Sequence, residues 1–169
     1  MTNRQDNFDK NSIKDRLREC ATQIRNKYIG KPILNQPFFN NFRSNVAVAE
    51  IYLKNNVVFS VGGTAGKNSP IPQPKSKSEG GQFEPGVDLY SKRLMDTDAE
   101  YKVLSAIADT LEMNYDLQVE GYIYLYTERE PCESCQEVIK QFQQKFPNIN
   151  IEENIFWDHP YPPLNLSKR

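Results

Sequence analysis

Two cysteines three residues apart, Cys132 and Cys135, stand where a strand-like run meets a helix-like run, and this junction constrains the chain more than any other feature. Residues 121–127 (GYIYLYT) are aromatic and rich in strand formers, which predicts a strand. From Pro131 onward, Cys135, Val138, Ile139, Phe142 and Phe146 recur at spacings of three and four, one face of a helix that Pro147 and Asn148 end. Proline suits a first helical turn, so Pro131 is expected to open this helix. Residues 149–157 (INIEENIFW) read as the next strand. A strand, a helix and a second strand in that order imply a parallel crossover, which is right-handed by general rule. Two thiols at a helix start lie on one side of it, where backbone N–H groups and the helix dipole favour thiolates.

The rest of the chain fits a layered domain around this unit. Ile13, Leu17, Cys20, Ala21, Ile24 and Tyr28 define one face of a helix over 12–29, with Cys20 read as core packing. Residues 45–53 and 57–61 read as strands of an antiparallel hairpin, because Asn55-Asn56 between them tolerates the positive φ of a tight turn. Residues 62–88 have no regular pattern and hold six of the eight glycines together with Pro70, Pro72, Pro74 and Pro85. Such a segment is either a plain surface loop or the border of a substrate groove, and Lys67, Lys75 and Lys77 make it positive. A helix follows from Thr97, capped by Thr97 or Asp98, with Val103, Leu104, Ile107, Ala108 and Leu111 as its apolar stripe. The order α-β-β-α-β-α-β predicts an α/β fold: a mixed sheet, antiparallel hairpin then parallel strands, flanked by helices.

At 169 residues the chain fits one domain. We divide it into a flexible N-terminus (1–10), a single domain (11–158) and a proline-rich tail (159–169). No run approaches the roughly 20 apolar residues of a membrane span, and no signal peptide opens the chain, so no membrane association is expected. A net charge of −1 excludes a polycation: nucleic acid would have to be met by a local patch. The basic run Arg16, Arg18, Arg25, Lys27 and Lys31 is either a solvated helix face or a phosphate-binding one.

Three cysteines exclude a disulfide scaffold, and a single histidine, His159, limits any metal site to one imidazole. Asp98-Ala99-Glu100, like the cysteine pair, stands at a helix start. If both helices pack on one sheet face, two thiolates and two carboxylates converge. Zinc accepts sulfur and carboxylate oxygen, and a catalytic site needs three protein ligands and one open position. Asp98, Cys132 and Cys135 supply three, leaving Glu100 to move protons. A thioredoxin-like redox pair is the alternative, although it leaves Asp98 and Glu100 without a role. A structural zinc knuckle lacks a fourth ligand, since neither Cys20 nor His159 has the spacing.

These residues resemble the zinc-dependent nucleobase and cytidine deaminase superfamily, whose members carry H-x-E followed by P-C-x-x-C. The second half is intact as Pro131-Cys132-Glu133-Ser134-Cys135, and the run YIYLYTERE before it is similar to the tRNA adenosine deaminase branch, which ends in E-P-C. Residues 46–63 resemble that fold's first two strands. Asp98 stands where His or Cys is usual, and the runs MDTDAEYKVLSAIADTL and LYTEREPCESCQEVIKQFQQKFPNI resemble bacterial polymorphic-toxin branches with Asp there. The resemblance spans about residues 45–157 and implies a cytidine-deaminase-like fold, Zn2+ on Asp98, Cys132 and Cys135, and Glu100 as the catalytic proton carrier. It also implies hydrolytic attack on C4 of cytosine or C6 of adenine in a base that is single-stranded or flipped.

Thr64, Glu130, Phe83 and Tyr90 are the substrate-contact candidates, the aromatic pair either for stacking on a base or as anchors of the loop. Cytosine in DNA, single- or double-stranded, is favoured over RNA and over a free nucleoside, the choice of cytosine resting on the resemblance. The toxin branch further implies an immunity protein as partner and delivery, as part of a larger toxin, into a target-cell cytoplasm.

Overall fold

Alternation along two central strands sorts the side chains into two layers. The structure, a computed structural model, describes residues 3–30, 45–66, 68–87, 92, 94–96 and 98–161. Its elements are α1 (Asn3–Tyr28), β1 (Val46–Leu53), β2 (Val58–Thr64), α2 (Ala99–Asn114), β3 (Gly121–Arg129), α3 (Glu133–Lys145), β4 (Ile149–Asn150) and β5 (Ile155–His159). The strands lie in the order β2-β1-β3-β4, with β5 also paired to β3. β1 is antiparallel to both neighbours, while β4 and β5 run parallel to β3. This is the α/β mixed sheet flanked by helices that the element order predicts. Asn56 takes φ 69° in the hairpin turn, the left-handed conformation expected of an asparagine there.

Ala47, Ala49, Ile51 and Leu53 of β1 and Ile123 and Leu125 of β3 face α2 and α3, forming the main core with Val103, Leu104, Ile107, Phe142 and Phe146. The intervening residues Val46, Val48 and Tyr126 face Ile13, Leu17 and Ala21 of α1. The period-two pleat thus builds a helix–sheet–helix sandwich with α2 and α3 on one face and α1 on the other.

Several expectations need correction. α1 begins at Asn3, within the segment assigned to a flexible N-terminus. Cys20 is exposed: the packed stripe runs through Leu17 and Ala21, and Cys20 falls on its solvent side. Pro131 does not open α3, because Cys132 is the N-cap and Glu133 the first helical residue. The last strand is divided. Gly121 pairs with Ile149 and Leu125 with Ile155, so four steps along β3 meet six along its partner. A turn at 151–154 takes up the excess, with Asn154 N–H donating to Ile151 O (2.9 Å) and Leu125 N–H donating to Asn154 O (2.9 Å). His159 belongs to β5 rather than to the tail.

Arg16, Arg18 and Arg25 of α1 are each committed to a carboxylate, so they form neither an uncommitted solvated face nor a free phosphate surface. Arg16 binds Glu50 through two bonds (2.8 and 2.6 Å), Arg18 binds Asp158 (2.7 Å), and Arg25 forms a buried two-bond pair with Glu128 (2.7 and 2.5 Å). These pairs fasten α1 to the sheet. Lys31 lies outside the described residues.

β2 runs on through Thr64, past the expected end at Val61, and a single 3-10 turn forms at Lys77–Glu79; the rest of the described part of 62–88 is irregular yet fastened. Phe83 packs against Phe142 with ring centroids 6.0 Å apart, and Tyr101 Oη donates to Phe83 O (3.0 Å) and Lys75 O (3.2 Å). Gly81 is required here, since a Cβ on it would lie 1.7 Å from Lys75 O.

Candidate active site

The site forms where two helix N-termini abut on the α2/α3 face. Asp98 is the N-cap of α2 and Cys132 the N-cap of α3, and neither side chain caps its own helix. Aspartate is among the strongest capping residues, worth about 1 kcal/mol over alanine, so the uncommitted Asp98 side chain forgoes that stabilisation. Instead its Oδ2 lies 2.9 Å from Cys135 Sγ. Cys135 occupies the third helical position of α3, the place from which a side chain reaches back to the N-cap, and its Sγ is 3.2 Å from that of Cys132. Ser134 Oγ is 3.0 Å from Cys132 Sγ. The four residues of the sequence pattern are therefore brought together: Asp98, Glu100 and Cys135 are buried, and Cys132 is half-buried.

Glu100 enters from the first turn of α2 and is 2% exposed. Asn45 Nδ2 (2.9 Å) and Thr127 Oγ1 (2.5 Å) both donate to its Oε1. Its other oxygen, Oε2, is 3.7 Å from Cys135 Sγ. One carboxylate oxygen is thus pinned to the sheet while the other faces the sulfurs. Asn45 also accepts the Arg129 main-chain N–H on Oδ1 (3.1 Å). Neither Asn45 nor Thr127 was singled out from the sequence. Their signal is a polar residue at an inward position of strands whose other inward residues are apolar: Asn45 before Ala47 and Ala49, Thr127 after Ile123 and Leu125.

Burial pushes the Asp98 carboxyl up. Burial first, then the neighbouring Asp98, pushes Glu100 well above the usual carboxylate range. The hydrogen bond with Cys132, then burial, drives the Cys135 thiol well up, and the same contact holds Cys132 below the usual thiol range. Among the described residues no cationic side chain is hydrogen-bonded to any of the four. Acidic groups crowded in one dry volume suppress each other's ionisation, and a divalent cation is the partner that reverses this.

The donor set fits zinc, which takes thiolate sulfur and carboxylate oxygen. Ligand atoms of Asp98, Glu100 and Cys135 lie within 4.8 Å of one another. Cys132 joins the group through its contact with Cys135, and Glu100 is the member already engaged by two other donors.

The remaining candidates are placed less centrally. Thr64 ends β2 opposite Val46, which faces α1, and its Oγ1 donates to Asn68 O (2.5 Å). The Thr64 main chain, not its hydroxyl, adjoins α2: buried Lys102 donates to Thr64 O (2.9 Å) and to Gly66 O. Phe83 is 1% exposed, so it anchors the long segment in the core and offers no ring face to a base. Glu130, half-buried, directly precedes Pro131, with its N–H on His159 O (2.8 Å) and its Oε1 accepting from Tyr161 N–H (3.4 Å). Tyr90, Lys67 and Thr97 lie outside the described residues.

The mixed sheet flanked by helices is consistent with a cytidine-deaminase-like fold. The toxin-deaminase family model, described as the BURPS668_1122 family of deaminases, matches residues 66–154, more than half the chain and a span that includes Asp98, Glu100, Cys132 and Cys135. The chain belongs to that family. No match is found among curated proteins. No helix among the described residues is long and apolar enough to cross a membrane.

Proposed function

We propose that this deaminase is zinc-dependent and hydrolyses cytosine to uracil in nucleic acid, DNA foremost, as the toxin domain of a bacterial polymorphic toxin delivered into a target-cell cytoplasm. One observation carries the reading: the side chains of two N-cap residues, with Cys135, converge beside a buried glutamate whose Oε1 is held by Asn45 and Thr127 while Oε2 faces the Cys135 sulfur. A redox pair has no use for Asp98 or Glu100 in this volume, whereas a metal-assisted hydrolase uses both.

Asp98, Cys132 and Cys135 would hold the metal, and zinc bound there supplies a Lewis acid that makes a water nucleophilic near neutral pH. Asn45 and Thr127 orient Glu100. Glu100 Oε2 accepts one proton from the attacking water and passes it to the ring nitrogen, then carries the water's second proton to the departing amine. Water is consumed and ammonia released, with the keto oxygen of uracil coming from the water. Burial of Glu100 keeps the proton transfer from leaking to solvent. The choice of cytosine follows the resemblance to toxin branches. The choice of a polymer is supported by the exposed Lys75 and Lys77 on the segment that precedes α2. The toxin reading carries an immunity protein as partner.

Metal content tests the site. We expect one zinc per chain, lost in Asp98→Ala, Cys132→Ser and Cys135→Ser and retained in Cys20→Ser. A metal-free protein with full activity, or one with no zinc and a reversible Cys132–Cys135 disulfide, would overturn the assignment.

A further inference from the structure

Arg129 ends β3, three residues before Cys132. Its main-chain N–H donates to the Asn45 amide that also holds Glu100 and Thr127, and its register partner across the sheet is His159. The residue therefore stands at the rim of the active site. Its side chain is out of solvent, with 5% of the residue exposed. Nε is buried with no hydrogen-bond partner, and no carboxylate pairs with the guanidinium among the described residues.

Glu128, the neighbouring carboxylate, is committed to Arg25 through two bonds. Burial pushes the Arg129 guanidinium down from its usual value; nearby Glu128 opposes this without bonding to it, and Arg25 adds to it. A buried guanidinium with no anion bonded to it is among the costlier groups a fold can carry. Its planar fork matches phosphate oxygens geometrically as well as electrostatically.

We infer that Arg129 is a phosphate-binding residue, its guanidinium receiving a phosphodiester oxygen of the substrate strand beside the nucleotide presented to Glu100. This rests on the reading of the site as a deaminase of nucleic acid. It gives the buried cation a partner that arrives only with substrate. It also supplies a strand contact beside the active site, whereas Arg16, Arg18 and Arg25 of α1 are already paired with carboxylates.

The test uses the full zinc-loaded chain as wild type, Arg129→Met and Arg129→Lys. Binding of a short single-stranded cytosine-containing oligonucleotide, in DNA and RNA forms, is followed by fluorescence anisotropy across salt. A parallel oligonucleotide carries neutral methylphosphonates on both sides of the cytosine. Arg129→Met should bind the normal strand about tenfold more weakly, and its log K against log salt slope should fall by about one. Arg129→Lys should recover part of the loss. The methylphosphonate strand should cost wild type the same tenfold and cost Arg129→Met nothing further.

Without ligand, Arg129→Met should melt at the wild-type temperature or above it, because an unpaired buried charge has been removed. A purely structural arginine predicts a lower melting temperature, and that result overturns the inference. Equal strand affinity and slope in wild type and Arg129→Met also overturn it, while leaving the deaminase reading intact. Inorganic phosphate that stabilises wild type but not Arg129→Met, with strand affinity equal in the two, assigns the residue to free phosphate and counts against the inference. If wild type binds no polymer and turns over free cytidine, both readings fall.

Discussion

Asp98 shows how a single side chain trades local stability for a site. Its position calls for helix capping, and its Oδ2 goes to Cys135 instead. Asp98→Asn should therefore keep the fold yet lose zinc, as read by metal content beside a melting curve; retention of zinc would place the ligand elsewhere. Glu100→Gln preserves an acceptor for Asn45 and Thr127 but cannot carry a proton. It should lower the deamination rate by about 10²- to 10⁴-fold, the usual range for a general base, with zinc content unchanged. A rate within a few-fold of wild type would remove Glu100 from the chemistry. Asp98, Glu100, Cys132 and Cys135 were legible in the sequence because both motifs open helices whose starts meet. Asn45 and Thr127 were not, since a hydrogen bond from strand to helix leaves only a polar residue at an inward position. Phe83 stayed open between stacking and anchoring for the opposite reason: a loop aromatic does not reveal whether it points to solvent or, as here, to Phe142.

At the scale of elements, the docking of α1 rests on ion pairs across long sequence separations. Arg16 reaches Glu50 34 residues away, Arg25 reaches Glu128 at 103, and Arg18 reaches Asp158 at 140. A basic run read from sequence cannot reveal partners at such distances, so a clamp looked like a solvated or phosphate-binding face. The hairpin and the parallel crossover were legible, because turn residues and element order write them, whereas the antiparallel pairing of β1 with β3 joins segments far apart in sequence and was not.

Two outcomes follow for these pairs. Arg25→Met leaves Glu128 buried without its partner and should destabilise the fold by about 3 to 5 kcal/mol, measured by urea unfolding; a change below about 1 kcal/mol would show that solvent reaches the pair. The Arg18 guanidinium, through its hydrogen bonds, holds the Asp158 carboxyl at about 2, below the ordinary value near 3.9. The folded state thus binds fewer protons there than the unfolded chain. This contribution is fully present above about pH 4 and is lost as the pH falls through about 2. Unfolding midpoints between pH 5 and pH 2 should decline less steeply in Asp158→Asn than in wild type, and identical slopes would contradict the assignment.

At the scale of the whole molecule, the topology brings the chemistry together. β3 leads into α3 at Cys132, α2 packs beside α3 on the same sheet face, and the N-termini of both helices meet at the end of the sheet where β3 stops. The family match and the site agree in position, since residues 66–154 contain all four converging side chains. The segment before α2 is anchored by Phe83 and Tyr101, with Lys75 and Lys77 left exposed. Replacing both lysines with glutamine should lower the salt slope of strand binding by about one to two without altering zinc content. An unchanged slope would place the strand away from this segment.

The central claim is tested most directly by incubating the zinc-loaded protein with pooled single- and double-stranded DNA and RNA and sequencing the products. The expected result is C-to-T change, strongest in DNA, absent with Glu100→Gln and absent after zinc removal. Turnover of free cytidine with no base change in any polymer, or full conversion by the metal-free protein, would contradict it.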